Sequence, residues 1–425
     1  MYERGLPERG TSVQPVTERR RSKPVPPPPS DPTLPGLARL LDTDLVAERL
    51  AAWLTPGVSI DAVEPRQIDY APGTHCQLAW RVWIAGQPRI AVGTMSADGS
   101  REREAGRYVV SPVNQPTGPL RRLCGVDAEL QAAVHWFPYD PRMPALVRPI
   151  NEVLERLGRS SAEGIGEVTD LAYRPGERAV RRIGDTVVKW YSRPQAYAGA
   201  VDGFAWAEQT VGSATARLLG VDAEQRMTLQ PFVIGEGIDR DGAVAAGWDA
   251  GAMLRRLHDS EPKEYPRHRS PDVDVQQVRI DARLLSAIRP DLAARIGRLT
   301  RRLTESMPMG DTVPSHGDFN ISQMVRIADG SLVVLDFDEV CAAAPAYDVA
   351  SYIANVVGGR DGDAERAARV MDGILAGYGQ RPDALGWYLA AVSLRRARSP
   401  FRLQKSKWPA RVESGVALAE EVFHW

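Results

Sequence analysis

The stretch SHGDFNISQMVRIADGSLVVLDFDEV, Ser315–Val340, determines how the rest of the chain is interpreted. Two β-rich runs within it are separated by Asp329-Gly330, which is a strong hairpin signal. The runs are Met324–Ile327 and Leu332–Leu335. Asp318 precedes this hairpin and Asp336 ends it. Because a hairpin brings its two flanks to the same edge, the sequence predicts that the two carboxylates lie close together.

Two carboxylates held in this way suit a phosphoryl-transfer centre, which needs a base and a metal ligand. Asp318 is the candidate catalytic base, and Asp336 and Gln323 are the candidate Mg²⁺ ligands because they offer hard oxygen atoms. Gln323 stands at the offset from Asp318 where a kinase catalytic loop carries its second metal ligand, normally Asn. An isolated Asp more often caps a strand or turn. The prediction therefore depends on the ordered set and not on any single residue.

The segments HGDFNISQ and LDFDEVCAAAPAYDVA resemble the catalytic and metal-binding segments of the aminoglycoside phosphotransferase and choline kinase-like family. The resemblance runs from about Glu167 to the C-terminus. It implies a protein-kinase-like fold, ATP and Mg²⁺ as cofactors, and His316 and Asp348 as braces of the catalytic loop. The chain departs from the family at Gln323, which replaces Asn, and at Asp336-Phe337-Asp338, which replaces Asp-Phe-Gly. We interpret Asp338 as a strand cap, with an approach to a second metal ion as the alternative.

The predicted fold class is α+β, with a bilobal protein-kinase-like fold preceded by an additional small α+β cap domain. The N-lobe is expected to be a small antiparallel sheet and the C-lobe mainly helical. The expected divisions are a disordered Arg- and Pro-rich tail over 1–35, the cap over 36–160, the N-lobe over 161–234 and the C-lobe over 235–425. The tail has too few apolar residues to offset the entropy lost on ordering.

The cap and the N-lobe share a turn sequence. Tyr70–Gly73 and Tyr173–Gly176 both have the form Tyr-x-Pro-Gly between β-rich runs. One interpretation is a degenerate N-lobe-like repeat, and the other is convergent hairpin chemistry. Only the second copy offers a lysine, because none occurs between Lys23 and Lys189. Maltokinase-like relatives carry an added N-terminal cap, so the resemblance points to a cap that binds no nucleotide.

Nucleotide binding in the predicted N-lobe centres on Lys189, which ends its third strand. Its ammonium would contact the α- and β-phosphates and needs an acidic partner. Glu208, on a helix predicted over 201–219, is the candidate partner, with Asp202 as the alternative. The other expected nucleotide contacts are Gly176 in the turn over the phosphates, and Gln230 and Phe232 where the last strand enters the hinge that would bind adenine. Arg174 or Arg178, beside the turn, could add positive charge.

Composition excludes several classes of protein. The net charge is −1, with 53 basic and 54 acidic residues, so no electrostatic case exists for nucleic acid or an anionic membrane. No apolar run approaches the ~20 residues of a membrane span, and the N-terminus has no signal-peptide core. Three widely spaced cysteines fit a reduced, cytoplasmic chain without disulfides or a zinc site.

The expected function is transfer of the γ-phosphate of ATP to a hydroxyl group of a small molecule, such as a sugar or an aminoglycoside-like natural product. Arg395, Arg402 and Trp408 are the expected acceptor wall, in a basic segment that suits a neutral or acidic acceptor better than a polycation. The same arginines could simply face solvent. Two alternatives stay open: a Ser/Thr kinase acting on a peptide in natural-product biosynthesis, and a pseudokinase that only binds.

Overall fold

The computed structural model describes residues 29–108, 118–159, 165–261, 267–358 and 364–425. Most of the predicted tail, up to residue 28, lies outside these ranges. Residues 29–35, which the prediction also assigned to the tail, are anchored instead. Leu34 is buried, and the Asp31 carboxylate accepts hydrogen bonds from the Tyr70 hydroxyl at 2.9 Å and the Gly73 N–H at 2.8 Å. Ordered packing therefore begins before the predicted start of the cap.

The cap is a five-stranded antiparallel sheet with the strand order β1-β2-β3-β5-β4. Its elements are α1 (Leu37–Leu41), α2 (Thr43–Ala51), β1 (Ile60–Ala71), β2 (His75–Ile84), β3 (Gln87–Ser96), α3 (Ser100–Tyr108), β4 (Cys124–Asp127) and β5 (Ala132–Trp136). Trp80 and Trp136 are fully buried in its core. The Trp80 indole N–H donates to the Leu40 carbonyl at 3.1 Å, which fixes the helical segment on the sheet.

The second sheet is also five-stranded and antiparallel, with the order β6-β7-β8-β10-β9. Its elements are α4 (Ile150–Arg156), β6 (Val168–Arg174), β7 (Arg178–Ile183), β8 (Thr186–Tyr191), α5 (Pro194–Val211), β9 (Gly220–Asp222) and β10 (Met227–Pro231). Every residue of β8 is buried, as expected for a central strand covered on both faces. Lys189 lies in the middle of this apolar strand.

The two sheets share one plan. In both, the helix lies between the third and fourth strands in chain order, and the fifth strand pairs with the third. The turn bonding is also shared, because Asp140 accepts from the Tyr173 hydroxyl at 2.9 Å and the Gly176 N–H at 2.7 Å, as Asp31 does in the cap. Counting along the ladders from the two turns places Thr94 where the second sheet has Lys189.

The segment from residue 140 to 157 packs with the second sheet, although the predicted boundaries placed it in the cap. Met143, Val153 and Leu157 belong to the same buried cluster as Tyr173 and Trp190. Two cap side chains also enter this cluster, Ala79 and Val92. Helix α4 thus relates to the second sheet as α1 and α2 relate to the first.

The remainder of the chain is mainly helical. Its helices are α6 (Gly242–Ala245), α7 (Gly247–His258), α8 (Pro271–Ile288), α9 (Ala293–Glu305), α10 (Pro345–Val357), α11 (Ala364–Tyr378), α12 (Leu385–Ala397), α13 (Ser399–Arg402) and α14 (Trp408–Val422). Its strands are β11 (Glu236–Gly237), β12 (Val313–Ser315), β13 (Met324–Arg326), β14 (Leu332–Val334) and β15 (Cys341–Ala343). Among the described residues, no helix is long and apolar enough to cross a membrane.

The predicted hairpin is confirmed. Strands β13 and β14 pair in antiparallel register, with Met324 opposite Val334 and Arg326 opposite Leu332. Gly330 has φ +87°, a conformation that favours glycine, and the Asp329 carboxylate accepts from the Ser331 N–H at 2.8 Å.

Candidate active site

The hairpin brings the two predicted carboxylates to one amide side chain. The Gln323 Nε2–H group donates to Asp336 Oδ2 at 3.1 Å and lies 3.4 Å from Asp318 Oδ2. Gln323 is buried, and its carbonyl oxygen Oε1 has no hydrogen-bond partner among the described residues. An unpaired buried oxygen costs free energy. Oε1 is also a hard oxygen, on the amide group whose nitrogen contacts both carboxylates, so it fits the predicted role of a Mg²⁺ ligand.

The turn before Asp318 is held by a buried carboxylate. Asp348 accepts from the His316 backbone N–H at 2.7 Å and from the Gly317 N–H at 3.1 Å. Gly317 has φ +84°, and a Cβ at this position would lie 2.0 Å from the Glu339 carbonyl oxygen. Only glycine fits here, so the turn can take only one path into Asp318.

The hydrogen bonds of His316 define its tautomer. Nε2 lies 3.0 Å from the Leu335 carbonyl and must donate to it, while Nδ1 accepts from the Asp318 N–H at 3.3 Å. The ring is therefore neutral and ties the catalytic loop to the end of β14. Burial opposes ionisation of Asp348, but the His258 ring nitrogen 3.6 Å away and the backbone N–H of His316 lower the Asp348 pKa below its usual value. His316 and Asp348 therefore occupy bracing positions, and they line neither of the two large cavities described below.

Asp336 is held in a left-handed conformation, with φ 66° and ψ 52°. Non-glycine residues in this region carry strain and cluster at functional sites. The carboxylate receives a bidentate pair from Arg178, at 2.9 Å and 3.2 Å, and the Lys189 ammonium at 2.5 Å. Burial opposes ionisation of Asp336, but Arg178 and Lys189 hold its pKa well below the usual range.

Lys189 finds its acidic partner at Asp338 and not at Glu208. Its ammonium lies 2.9 Å from Asp338 Oδ1, which also accepts from the Tyr191 hydroxyl at 3.2 Å. The other oxygen of Asp338, Oδ2, pairs with Arg178. Burial alone would lower the pKa of Lys189, but the charges of Asp336 and Asp338 raise it. The interpretation of Asp338 as a strand cap is therefore wrong, because it completes the charge network of the site.

The predicted Lys189–Glu208 pair is wrong for a geometric reason. Glu208 and Asp202 both lie on the exposed face of α5. The face toward the site carries Gly203, where a Cβ would lie 2.1 Å from the Phe337 carbonyl oxygen. Helix α5 approaches the Asp336–Asp338 turn so closely that no carboxylate side chain fits between them. The acidic partner of Lys189 is instead Asp338, which lies in that turn.

The predicted phosphate-covering turn makes a different contact. The Gly176 N–H is already bonded to Asp140, and the turn faces Arg142 and Gln77 rather than the open cleft. The residues that flank the turn, Arg174 and Arg178, are the ones that face the cleft. The prediction that Gly176 binds phosphate is therefore not supported, because its donor is used.

The two predicted hinge residues lie at the end of β10. Gln230 is buried, and its Nε2 has no hydrogen-bond partner among the described residues. The Phe232 N–H donates to the Asp185 carbonyl at 2.7 Å, and the Arg182 guanidinium lies 3.9 Å from the Phe232 ring centroid. The Phe232 N–H is thus used within the sheet, while the contact of Gln230 with adenine stays a prediction.

Two of the three predicted acceptor-wall residues have structural contacts instead. Arg395 donates to the Tyr347 hydroxyl at 2.8 Å and lies 3.5 Å from Asp281. Trp408 is buried, with its ring centroid 5.0 Å from that of Phe401. Sequence could not reveal the contacts of Arg395, because Tyr347 and Asp281 are distant from it along the chain. Arg402 does line a cavity, which lies between the cap and the second sheet.

The cleft over the site has a volume of about 460 Å³. Its wall includes Asp318, Asp336 and Asp338 and the cations Arg178 and Arg267. Sequence reasoning missed Arg267 as a site residue and gave Arg178 only a general role. The signal for Arg178 was its place just after the Tyr-x-Pro-Gly turn, two residues beyond Gly176. This arrangement can bind an anionic group together with a metal ion, next to the Asp318 carboxylate.

Comparison with known proteins matches a family to the part of the chain that contains this site. The sequence model of the phosphotransferase enzyme family matches residues 178–388, which contain Lys189, Asp318, Gln323 and Asp336. This part of the chain belongs to the phosphotransferase enzyme family. Members of the family transfer phosphate to hydroxyl groups, so the protein is a phosphotransferase with an alcohol acceptor. No curated protein matches the chain.

Solved phosphotransferase structures show similarity to most of the chain. A choline/ethanolamine kinase family protein from Mesorhizobium loti is 15% identical, with 65% of this chain and 95% of that chain covered and a TM-score of 0.46. An aminoglycoside phosphotransferase from Streptomyces rimosus is 23% identical, with 57% and 97% covered and a TM-score of 0.43. A choline kinase from Streptococcus pneumoniae is 11% identical, with 64% and 98% covered and a TM-score of 0.47.

The phosphotransferase has the bilobal protein-kinase-like fold of the predicted α+β class. The second sheet with α5 forms the small lobe, and the helical remainder, with the β13–β14 hairpin, forms the large lobe. The cap sheet is an addition before the small lobe.

Proposed function

We propose that the protein uses ATP and Mg²⁺ to phosphorylate a hydroxyl group of a small molecule. The observation that carries this proposal is the meeting of Asp318, Gln323 and Asp336 with Lys189 in one network of contacts. These residues come from the catalytic loop, the hairpin and the central strand of the small lobe. Their only shared feature is the chemistry that phosphoryl transfer requires.

Gln323 Oε1 and the Asp336 carboxylate would hold the metal ion. No group of three or more His, Cys, Asp or Glu side chains forms a metal cluster among the described residues. This agrees with Mg²⁺, which takes one or two carboxylates and completes its shell with water and substrate phosphates. When bound, the ion would neutralise negative charge on the transferring group.

Lys189 and Arg178 would turn from the carboxylates to the nucleotide. Both cations contact Asp336 and Asp338 directly, so the carboxylates are already compensated. A triphosphate offers the same two cations new oxygen partners and leaves the Asp336 oxygen atoms for the metal. Arg178 supplies two N–H groups in a fork, a geometry that matches phosphate oxygen atoms.

Asp318 would orient the acceptor hydroxyl and take its proton. The hydroxyl oxygen forms a bond to the γ-phosphorus, the bond from that phosphorus to the β–γ bridging oxygen breaks, and ADP leaves with the electron pair. The Asn320 Nδ2–H group lies 3.2 Å from Asp318 Oδ1 and the Gln323 amide lies 3.4 Å from Oδ2, so both oxygen atoms of Asp318 are oriented.

The cap would take no part in nucleotide binding. It shares the strand order and the Asp–Tyr–Gly turn of the small lobe, and we interpret it as a degenerate second copy of that lobe. Thr94 stands at the register position of Lys189 and accepts a hydrogen bond from the Gln77 amide at 3.1 Å. A hydroxyl in place of an ammonium cannot compensate phosphate charge.

A screen of acceptors tests the proposal. The protein is incubated with ATP, Mg²⁺ and a panel of neutral, anionic and cationic hydroxyl compounds and peptides, and products are sought by mass spectrometry. We expect a phosphorylated small molecule with the wild type and none with Asp318→Asn. Products from peptides alone would assign the chain as a peptide kinase. Nucleotide binding without any turnover would support a pseudokinase.

A further inference from the structure

A second cavity lies beside the catalytic cleft, where three parts of the chain meet. Its volume is about 400 Å³. Strands β1 and β2 of the cap form one side, β6 and the start of β7 form another, and the segment after α13 closes the third. We call it the three-way cavity.

The wall of the three-way cavity is strongly basic. Its charged side chains are six cations, Arg66, Arg81, Arg174, Arg178, Arg402 and Lys405, and one acid, Glu64. The chain as a whole is almost neutral, with a net charge of −1. This concentration of positive charge is therefore local and follows from the fold, because the cations come from segments far apart in the sequence.

Five of these cations form no ion pair with a described residue. Arg178 is paired with Asp336 and Asp338, but none of the other five side chains forms an ion pair or hydrogen bond with a described residue. Elsewhere arginines near carboxylates are paired, as Arg398 is with Asp281 at 3.0 Å. Uncompensated cations at a partly enclosed wall create a field that attracts anions.

The pKa of Arg402 shows the effect of the neighbouring positive charges. Its side chain is half-buried beneath the cap. Burial, followed by the charges of Arg174 and Arg398, lowers the pKa of Arg402 to about 10. It stays cationic at neutral pH and forms no ion pair with a described residue, although Glu177 and Asp69 act on its pKa in the opposite direction.

The three-way cavity and the catalytic cleft share a boundary. Arg174 and Arg178 line both, and Arg178 also contacts the Asp336 carboxylate. A molecule that occupies the three-way cavity therefore lies next to the cleft that contains Asp318.

We propose that the three-way cavity binds an anionic group, a phosphate or a carboxylate, of the hydroxyl compound that the enzyme phosphorylates. This inference rests on the proposed function, because it concerns the acceptor of the same reaction. Guanidinium groups suit either anion through paired N–H donors. A polycationic acceptor would be repelled by the same wall. The acceptor class is thus a hydroxyl compound that already carries a negative charge.

Calorimetry with four compounds that share one sugar ring and differ in charge tests the inference. Glucose, glucose 6-phosphate, glucuronate and glucosamine are titrated into the full chain saturated with ADP and Mg²⁺, so that the nucleotide site is filled. We expect the two anions to bind at least tenfold more tightly than glucose, and glucosamine to bind no better than glucose. Added salt should weaken only the anions, because it screens charge.

Charge reversal locates the binding. Arg81→Glu and Lys405→Glu change exposed side chains of the three-way cavity, so the fold should tolerate both. Each should weaken anion binding tenfold or more, in line with the loss of one charge-assisted bond. Arg121→Glu is the matched control, an exposed cap arginine outside the cavity that should bind like the wild type. Equal binding by all three variants, or no binding of either anion to the wild type, overturns the inference.

The nucleotide titration separates this inference from the proposed function. If ADP with Mg²⁺ fails to bind the wild type, the proposed function fails, whatever the anions do. If ADP binds but the anions do not, only the anionic acceptor is excluded.

Discussion

Two glycines with the same backbone conformation differ in the space around them, and the difference yields a sharp prediction. Gly317 has φ +84° and Gly330 has φ +87°. A Cβ at Gly317 would lie 2.0 Å from the Glu339 carbonyl oxygen, whereas a Cβ at Gly330 would have no atom within 4 Å. Alanine at each position therefore introduces the same φ strain, but only one of the two substitutions creates a clash.

The expected magnitudes follow from this geometry. The left-handed conformation costs an L-residue about 1–2 kcal/mol, and the loss of glycine freedom in the unfolded chain returns about 0.4–1 kcal/mol. Gly330→Ala should therefore cost about 1 kcal/mol. Gly317→Ala must also move the loop by about 1 Å to relieve the contact, and such overpacking adds about 1–3 kcal/mol. A displacement of this size at a catalytic group lowers turnover about 10²-fold.

Urea unfolding and steady-state kinetics measure the two effects. We expect Gly317→Ala to be about 2 kcal/mol less stable than Gly330→Ala and to lose about a hundredfold in kcat, with nucleotide affinity nearly unchanged. Gly330→Ala should keep the wild-type kcat, because its turn is remote from the cleft. Equal stability and equal kcat in the two variants would refute the argument that the Gly317 turn fixes the position of Asp318.

The remaining predictions concern the charged residues of the site. Lys189→Ala should weaken ATP binding about tenfold to a hundredfold in calorimetry, as expected for a lost charge-assisted bond, whereas Glu208→Ala should bind like the wild type. Asp318→Ala should lower kcat about 10²–10⁴-fold without changing the nucleotide Kd, and an unchanged kcat would exclude it as the base. Gln323→Leu should raise the Mg²⁺ concentration needed for half-maximal turnover, and an unaltered Mg²⁺ dependence would remove it from the metal site. Folding lowers the pKa of Asp336, so the stabilising effect of this carboxylate is present above its unfolded pKa of about 3.9 and is lost as pH falls below that value. Asp336→Asn should therefore flatten the acid side of a profile of stability against pH measured by urea unfolding.

Local signals in the sequence predicted the fold around the site well. The Asp329-Gly330 turn between two apolar runs specifies a hairpin by itself, because its conformational requirements are met within a few residues. The convergence of Asp318 and Asp336 follows from that hairpin. The buried strand that contains Lys189 was predictable from equally local signals. A single cation within an apolar run indicates a buried strand whose one charged side chain has a specific partner.

Contacts between distant elements were not predictable in the same way. The partner of Lys189 depended on how closely α5 approaches the Asp336–Asp338 turn, and Gly203 sets that distance. A helical period identifies the buried face of a helix but not the neighbour against which it packs. The exposed position of Glu208 and the central position of Asp338 were visible only in three dimensions.

The acceptor wall illustrates the same limit on a larger scale. A run of basic residues after residue 395 suggested one surface, but the fold divides it. Arg395 pairs with Asp281 inside the large lobe, while Arg402 joins Arg66 and Arg174 at the three-way cavity. Segments separated by more than two hundred residues supply that cavity, so no sequence window contains it.

The Asp–Tyr–Gly turn that occurs in both sheets bears on how such an enzyme can arise. One turn is anchored by Asp31 and the other by Asp140, which follows the last cap strand after only a few residues. We infer a tandem duplication of one coding segment, joined without a spacer. Selection for nucleotide chemistry then needed only one copy. The other was free to diverge, and its strands now contribute Arg66 and Arg81 to the recognition of a different molecule.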